Sequence, residues 1–90
     1  MTDDRSIWHV YLVQCGDGSL YCGIALDMDK RLAQHNNGTG AKYTTSRRPV
    51  KLVWYELITG LGKALQREHQ IKRMTRKQKL ALIERKRTYP

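Results

Sequence analysis

The stretch IWHVYLVQCGDGSLYCGI, residues 7–24, reads as two strands joined by a tight turn. Ile7 to Gln14 is rich in β-branched and aromatic residues, Leu20 to Ile24 is its partner, and Gly16-Asp17-Gly18 is the turn between them. The turn sets the register, and the register decides which side chains meet. If Asp17-Gly18 alone form the loop, Tyr11 and Tyr21 point to opposite faces; a three-residue loop with Gly18 left-handed puts both on one face. The second is expected, because a shared site needs both phenols.

Outward from the hairpin, Asp27 can cap a helix from Met28 to about Asn37, which ends in the breaker-rich loop Asn36-Asn37-Gly38-Thr39-Gly40. Pro49 opens a third strand, Val50 to Leu57. A second helix is expected from about Gly62 to Met74, with Thr59 as its cap. Thr75 and Gln78 have the spacing of a capping box for a third helix. That helix carries Leu80, Ala81 and Ile83 inward and Arg76, Lys77, Lys79, Arg85, Lys86 and Arg87 outward. The order β-β-α-β-α-α, without linker or repeat, predicts one α/β domain of the α+β type over residues 1–90, with its core at about 7–83. Three strands alone would leave an apolar face exposed, so a small antiparallel or mixed sheet covered by helices is expected.

On the second helix Leu61, Ala64, Leu65 and Ile71 recur at intervals of three and four and trace one expected buried stripe, with Glu68 in its middle. A carboxylate there must be neutralised, paired with a base such as Arg67 or Lys72, or bound to a metal, because desolvating an unpartnered charge costs at least several kcal/mol. On the first helix Arg31 and His35 sit one turn apart and flank the Met28 and Leu32 stripe, leaning toward the sheet.

The 90 residues carry a formal charge of +9, unevenly placed. Residues 1–30 hold two basic and five acidic side chains, a net of −3, whereas residues 63–90 hold ten basic and two acidic, a net of +8. Such asymmetry suits a polyanionic partner, most simply nucleic acid, since phosphate neutralisation with counterion release rewards clustered Lys and Arg. No apolar run approaches the roughly 18 residues of a membrane span, and the start Thr2-Asp3-Asp4 does not read as a signal peptide, so a cytoplasmic protein is expected. Cys15 and Cys22 lack metal-ligand spacing and read as reduced thiols.

His9-Val10-Tyr11, Tyr21-Cys22-Gly23 ten residues on, Arg31-Leu32-Ala33-Gln34-His35-Asn36, and Glu68 within Ala64 to Lys72 follow one another in an order that resembles the GIY-YIG nuclease superfamily, closest to its small stand-alone bacterial members. Gly40-Ala41-Lys42-Tyr43-Thr44 and Arg47-Arg48-Pro49 extend the match. The resemblance implies metal-dependent hydrolysis of phosphodiester bonds in DNA, structure-directed or weakly specific, of a repair or recombination type. It implies Glu68 as the sole protein carboxylate on Mg²⁺ (or Mn²⁺), an ion that dehydrates reluctantly and keeps waters. Arg31 would neutralise non-bridging oxygens with its fork. Tyr11 would be the general base or a relay to one, Tyr21 would position water or phosphate, and His35 would contact phosphate or share the proton transfer. An unperturbed phenol titrates near about 10, so a basic Tyr11 needs Arg31 and the metal to favour its phenolate. Lys42, Arg47, Arg48, Lys72, Arg76, Lys77 and Lys79 are the expected nucleic-acid contacts. His9 and Cys22 replace the first glycine and the central isoleucine of the two triplets, and Ile24 and Ala25 stand where many relatives carry Lys or Thr. A catalytically weak or inactive nucleic-acid-binding module is the alternative, and a protein partner supplying specificity is a further expectation.

Overall fold

The computed structural model describes residues 4–87, with the side chains of residues 86 and 87 left aside. The expectations for Thr2, Asp3, Lys86 and Arg87 therefore lie outside the described residues. Strands β1 (Ile7–Gln14), β2 (Leu20–Ala25) and β3 (Lys51–Thr59) form one antiparallel sheet in the order β2-β1-β3. Around it lie α1 (Met28–Asn37), a single turn α2 (Lys42–Thr45), α3 (Leu61–Lys72) and α4 (Arg76–Arg87).

The hairpin closes with the three-residue loop. Cys15 N–H donates to Ser19 O at 2.8 Å, Gly18 N–H donates to Cys15 O at 2.9 Å, and Gly18 has φ 84°. Tyr11 consequently pairs with Gly23 and Val13 with Tyr21, so both phenols share a face. As the central strand, β1 is covered on both sides, which is why Val10 to Val13 form an unbroken apolar run. Val10 and Leu12 pack with Cys22, Trp54, Ala64, Ile71 and Ile83 under α3 and α4. Tyr11 and Val13 pack with Cys15, Ala25, Met28 and Val50 under α1.

The caps show how local sequence sets the helix ends. Asp27 Oδ1 accepts from Lys30 N–H at 3.0 Å and Gly38, with φ 87°, closes α1. The Thr75–Gln78 box is reciprocal, at 2.9 and 3.2 Å. Thr59, expected to cap α3, is instead the last residue of β3; Gly60 takes the N-cap with φ 95°, and Asp4 Oδ2 accepts the Leu61 N–H at 2.8 Å. The turn α2 lies between α1 and β3, where the sequence predicts no helix, because four residues are too few for a periodicity to register.

Two apolar expectations are corrected. Leu61 and Leu65 are 39% and 45% exposed, because α3 meets the sheet along Ala64 and Ile71, and Leu65 lies about 100° round the helix from Ala64. Leu80 and Ala81 also face outward; α4 turns Leu82, Ile83 and half-buried Lys79 toward the sheet. The connection from α1 to β3 is tied down by Asn36, whose Nδ2 donates to Val50 O at 2.9 Å while its Oδ1 accepts Val50 N–H at 2.8 Å. Asn36→Ala leaves both groups of a buried residue unpaired and is expected to cost about 2 kcal/mol in urea unfolding.

Candidate functional site

Tyr11 stands opposite Gly23 on the edge strand β2, and its ring lies across that glycine: a Cβ at position 23 would sit 2.5 Å from Tyr11 Oη. The missing side chain is what carries the phenol out to α1. There Oη meets His35 Nε2 at 2.8 Å and Arg31 Nε at 3.4 Å. His35 and Tyr11 are both fully buried. On the other side of the imidazole, Nδ1 lies 2.7 Å from Thr44 Oγ1, whose hydroxyl donates to Ala41 O at 2.9 Å.

These partners assign every proton. The Thr44 hydroxyl spends its hydrogen on a carbonyl, so Nδ1 is the N–H that donates to it and Nε2 is left as the acceptor. Arg31 can only donate to Tyr11 Oη, so the phenol's own hydrogen goes to Nε2. Burial pushes the Tyr11 phenol above its ordinary value, with Arg31 pulling against it. Burial pushes His35 down, and the Arg31 cation adds to that. A neutral phenol and a neutral imidazole therefore share one short bond.

Tyr21 and His35 meet edge to face, with ring centroids 5.6 Å apart. Its other neighbour is Tyr43 of α2, stacked at 5.8 Å and 23°. Arg31 also donates from Nη1 to Gln34 Oε1 at 3.2 Å. His35 has no exposed surface, and its ring nitrogens meet Tyr11 and Thr44. His9, at the first glycine position, is half-buried and lies 3.3 Å from Ala25 O through Nδ1.

Tyr11, Tyr21, Arg31 and His35 thus gather on the α1 face. Glu68 projects from α3, on the other face, where its backbone carbonyl takes the Cys22 thiol at 4.0 Å beside β2. It lies about 40° round the helix from Ala64, at the margin of the buried face, and is 17% exposed in its side chain. Its Oε2 is 3.3 Å from Nζ of Lys72, itself 50% exposed. Burial pushes the Cys22 thiol up to about 11, the Glu68 charge adds to this, and Lys72, Lys79 and Arg67 oppose it, so these four charges surround the β2 side of α3.

The expected nucleic-acid contacts fall in two groups. Lys42 and Arg48 are exposed near α2, with Arg47 half-buried beside them; Lys72, Arg76 and Lys77 are exposed on α3 and α4, with Lys79 half-buried. Thr44 and Gly40 escaped the sequence reading. Gly40 matters because a Cβ there would meet His35 Nδ1 at 2.6 Å, and Thr44 matters as the partner of that same nitrogen. Their only signal was their place in the matched Gly40 to Thr44 segment.

A three-stranded antiparallel sheet thus carries tyrosines from both hairpin strands toward an arginine and a histidine one turn apart on the following helix. The GIY-YIG catalytic domain model matches residues 7–81, and the chain belongs to that family, whose nucleases generally use divalent metals. Among its relatives, a UPF0213 protein of Staphylococcus epidermidis is 56% identical over 75 residues, which is 83% of this chain and 92% of that one. A UPF0213 protein of Staphylococcus saprophyticus is 53% identical over 75 residues, with the same coverage. The solution NMR structure of a UPF0213 protein from Bacillus halodurans superposes with a TM-score of 0.57 at 36% identity, covering 87% of this chain and 83% of that one. That of a protein from E. faecalis superposes with a TM-score of 0.64 at 32% identity, covering 99% and 95%.

Gly23→Ala pushes a methyl group into the Tyr11 ring and is expected to lower stability by about 2 kcal/mol in urea unfolding, as overpacking does. The depressed His35 adds a pH dependence. Its neutral form contributes stability that is fully present above the ordinary imidazole value of 6.5 and is lost as pH falls from there through the folded value. Urea midpoints measured from pH 7.5 down to 5 should fall for the native protein, and by less for His35→Gln.

Proposed function

We propose that this protein is a Mg²⁺-dependent endonuclease (Mn²⁺ serving in its place) that hydrolyses phosphodiester bonds in DNA, structure-directed or weakly specific, of a repair or recombination type. The observation that carries this reading is the Tyr11 hydroxyl held between Arg31 Nε and His35 Nε2. Within that chain of bonds Tyr11 is a relay and His35 the base. As water attacks phosphorus and the P–O bond to the leaving sugar oxygen breaks, the water's proton passes to Tyr11 Oη and the phenol's own proton to Nε2, while Nδ1–H keeps its bond to Thr44 and the leaving oxygen takes a proton from solvent. No phenolate has to exist beforehand, which suits a phenol that burial holds in its neutral form.

Arg31 covers Oη through a bond of 3.4 Å, long enough to exchange. Moving its guanidinium onto a substrate phosphate would neutralise the non-bridging oxygens and uncover Oη for water in one motion. Tyr21 would orient water or phosphate at the mouth of this site. Glu68 would hold the metal. Among the described residues no group of three His, Cys, Asp or Glu gathers as a ligand cluster, so a cation on Glu68 would draw its remaining ligands from water and phosphate, the donor set that suits Mg²⁺. When bound, the cation supplies charge neutralisation at the phosphate and leaving oxygens. Lys42, Arg48, Lys72, Arg76, Lys77 and Lys79 would hold the nucleic-acid backbone on both sides of β2, with DNA favoured over RNA and a protein partner adding specificity. The protein is read as a single cytoplasmic domain.

The second reading, an inactive nucleic-acid-binding module, is favoured by the pairing of Glu68 with Lys72 and the full burial of Tyr11. Supercoiled plasmid and labelled flap and branched duplexes, incubated at low salt with Mg²⁺ or Mn²⁺ against chelator, separate the two. Metal-dependent cleavage that Glu68→Gln loses, with DNA binding intact or tighter, is expected; binding without cleavage on every substrate would sink the nuclease reading. Because Lys72 is half exposed, the i,i+4 pair is worth about 0.5 kcal/mol or less, so Glu68→Gln should scarcely change the urea midpoint.

A further inference from the structure

Arg47 is a cation on a basic protein, yet its guanidinium is already engaged. Nε lies 3.2 Å from Asp17 Oδ2 at the tip of the β1–β2 hairpin, and Nη1 donates to Tyr43 O at 2.9 Å. Its central carbon stands 3.9 Å above the Tyr43 ring. Its backbone is held too, because Gly16 N–H donates to Arg47 O at 2.7 Å. Asp17 is fixed in turn by Ser19, whose N–H and hydroxyl donate to Oδ1 at 3.0 and 2.6 Å. These hydrogen bonds, with Arg47 contributing less, hold the Asp17 carboxyl below its usual range, so it stays ionised.

Tyr43 also stacks on Tyr21, and Tyr21 makes an edge-to-face contact with His35, which bonds Tyr11. One contiguous line runs from the hairpin tip to the buried phenol. Helix α2 has four residues, too few to hold a turn by itself, so the placing of Tyr43 and Thr44 depends on what straps them down. Tyr21 is half-buried on an edge strand, where it packs against the cluster around Tyr11 and Val13, and the Tyr43 ring stacks beside its contact with His35.

We propose that Asp17, Arg47 and Tyr43 form a clamp that presses Tyr21 against His35, so that Arg47 is a positioning residue for the candidate site and not a phosphate contact. Asp17 at the hairpin tip is thereby engaged by Arg47. Only its kinetic consequence rests on the nuclease reading. The groups facing His35, whose state reports on the clamp, are Tyr11 from β1, Tyr21 from β2, Arg31 from α1 and Thr44 from α2.

Asp17→Asn, Arg47→Met and the double variant test this in the full-length protein. The first measurement follows the His35 ring protons by NMR across pH. Loosening the clamp admits water, so each variant should move the His35 midpoint up by about half a pH unit or more. The second measures binding of a duplex in chelator across a salt series, where affinity should stay within about twofold and the salt slope should not fall. The third measures cleavage with Mg²⁺: kcat should drop about tenfold with KM little changed, and the double variant should be no worse than either single one. Arg47→Lys keeps the charge and should bind normally while leaving the His35 midpoint displaced. The opposite pattern overturns the clamp: an unmoved His35, a silent Asp17→Asn, and an Arg47→Met that weakens binding and lowers the salt slope by about 1. Should the native protein cleave nothing, the nuclease reading fails alone, and the NMR and binding measurements still decide the clamp.

Discussion

The hydrogen bond between Tyr11 and His35, 2.8 Å long and closed to solvent, is the interaction around which one half of the molecule is arranged. A phenol and an imidazole inside an apolar layer are costly unless every donor and acceptor is met. Tyr11 comes from the central strand, so its partner can only come from a helix lying on that face. Gly23 makes room for the ring, Gly40 for the imidazole, and Thr44 supplies the second acceptor. Helix α1 is placed by this bond as much as by Met28 and Leu32, and the connection to β3 folds back over it.

The opposite face is built on different physics. There Val10, Leu12, Trp54, Ala64, Ile71 and Ile83 close an apolar layer, and the charges stay at its margin. Glu68 is at that margin with Lys72, Lys79 and Arg67 about it. Its carboxylate stays within reach of solvent and of Lys72, where it can serve a cation or an ion pair. The sheet separates this charged margin from the neutral proton chain, and the two come to the edge strand β2 from either side.

Much of this was legible beforehand because it rests on neighbours in sequence. The hairpin loop follows from where left-handed glycine is needed, and the register follows from the loop, so the shared face of Tyr11 and Tyr21 could be read from 18 residues. The Asp27 cap and the Thr75–Gln78 box are equally local. The burial pattern of α3 was read less well. Leu61 and Leu65 fit an apolar stripe, but a helix on a three-stranded sheet buries a narrow line, and small Ala64 sets where that line runs. The Thr59 cap failed because its replacement, Asp4, is 57 residues away from Leu61 in the chain.

Period, turn chemistry and order along the chain were enough for the three strands, the three longer helices, the shared face of the two tyrosines and the candidate residues. Tertiary structure alone decided what those residues can do. It made His35 a buried proton acceptor by adding Thr44 on one nitrogen and Tyr11 on the other, engaged Arg47 with Asp17, and set Glu68 across the sheet from the phenols. Protonation and pairing follow from solvent exclusion and from groups distant in sequence, and neither leaves a pattern in the order of residues.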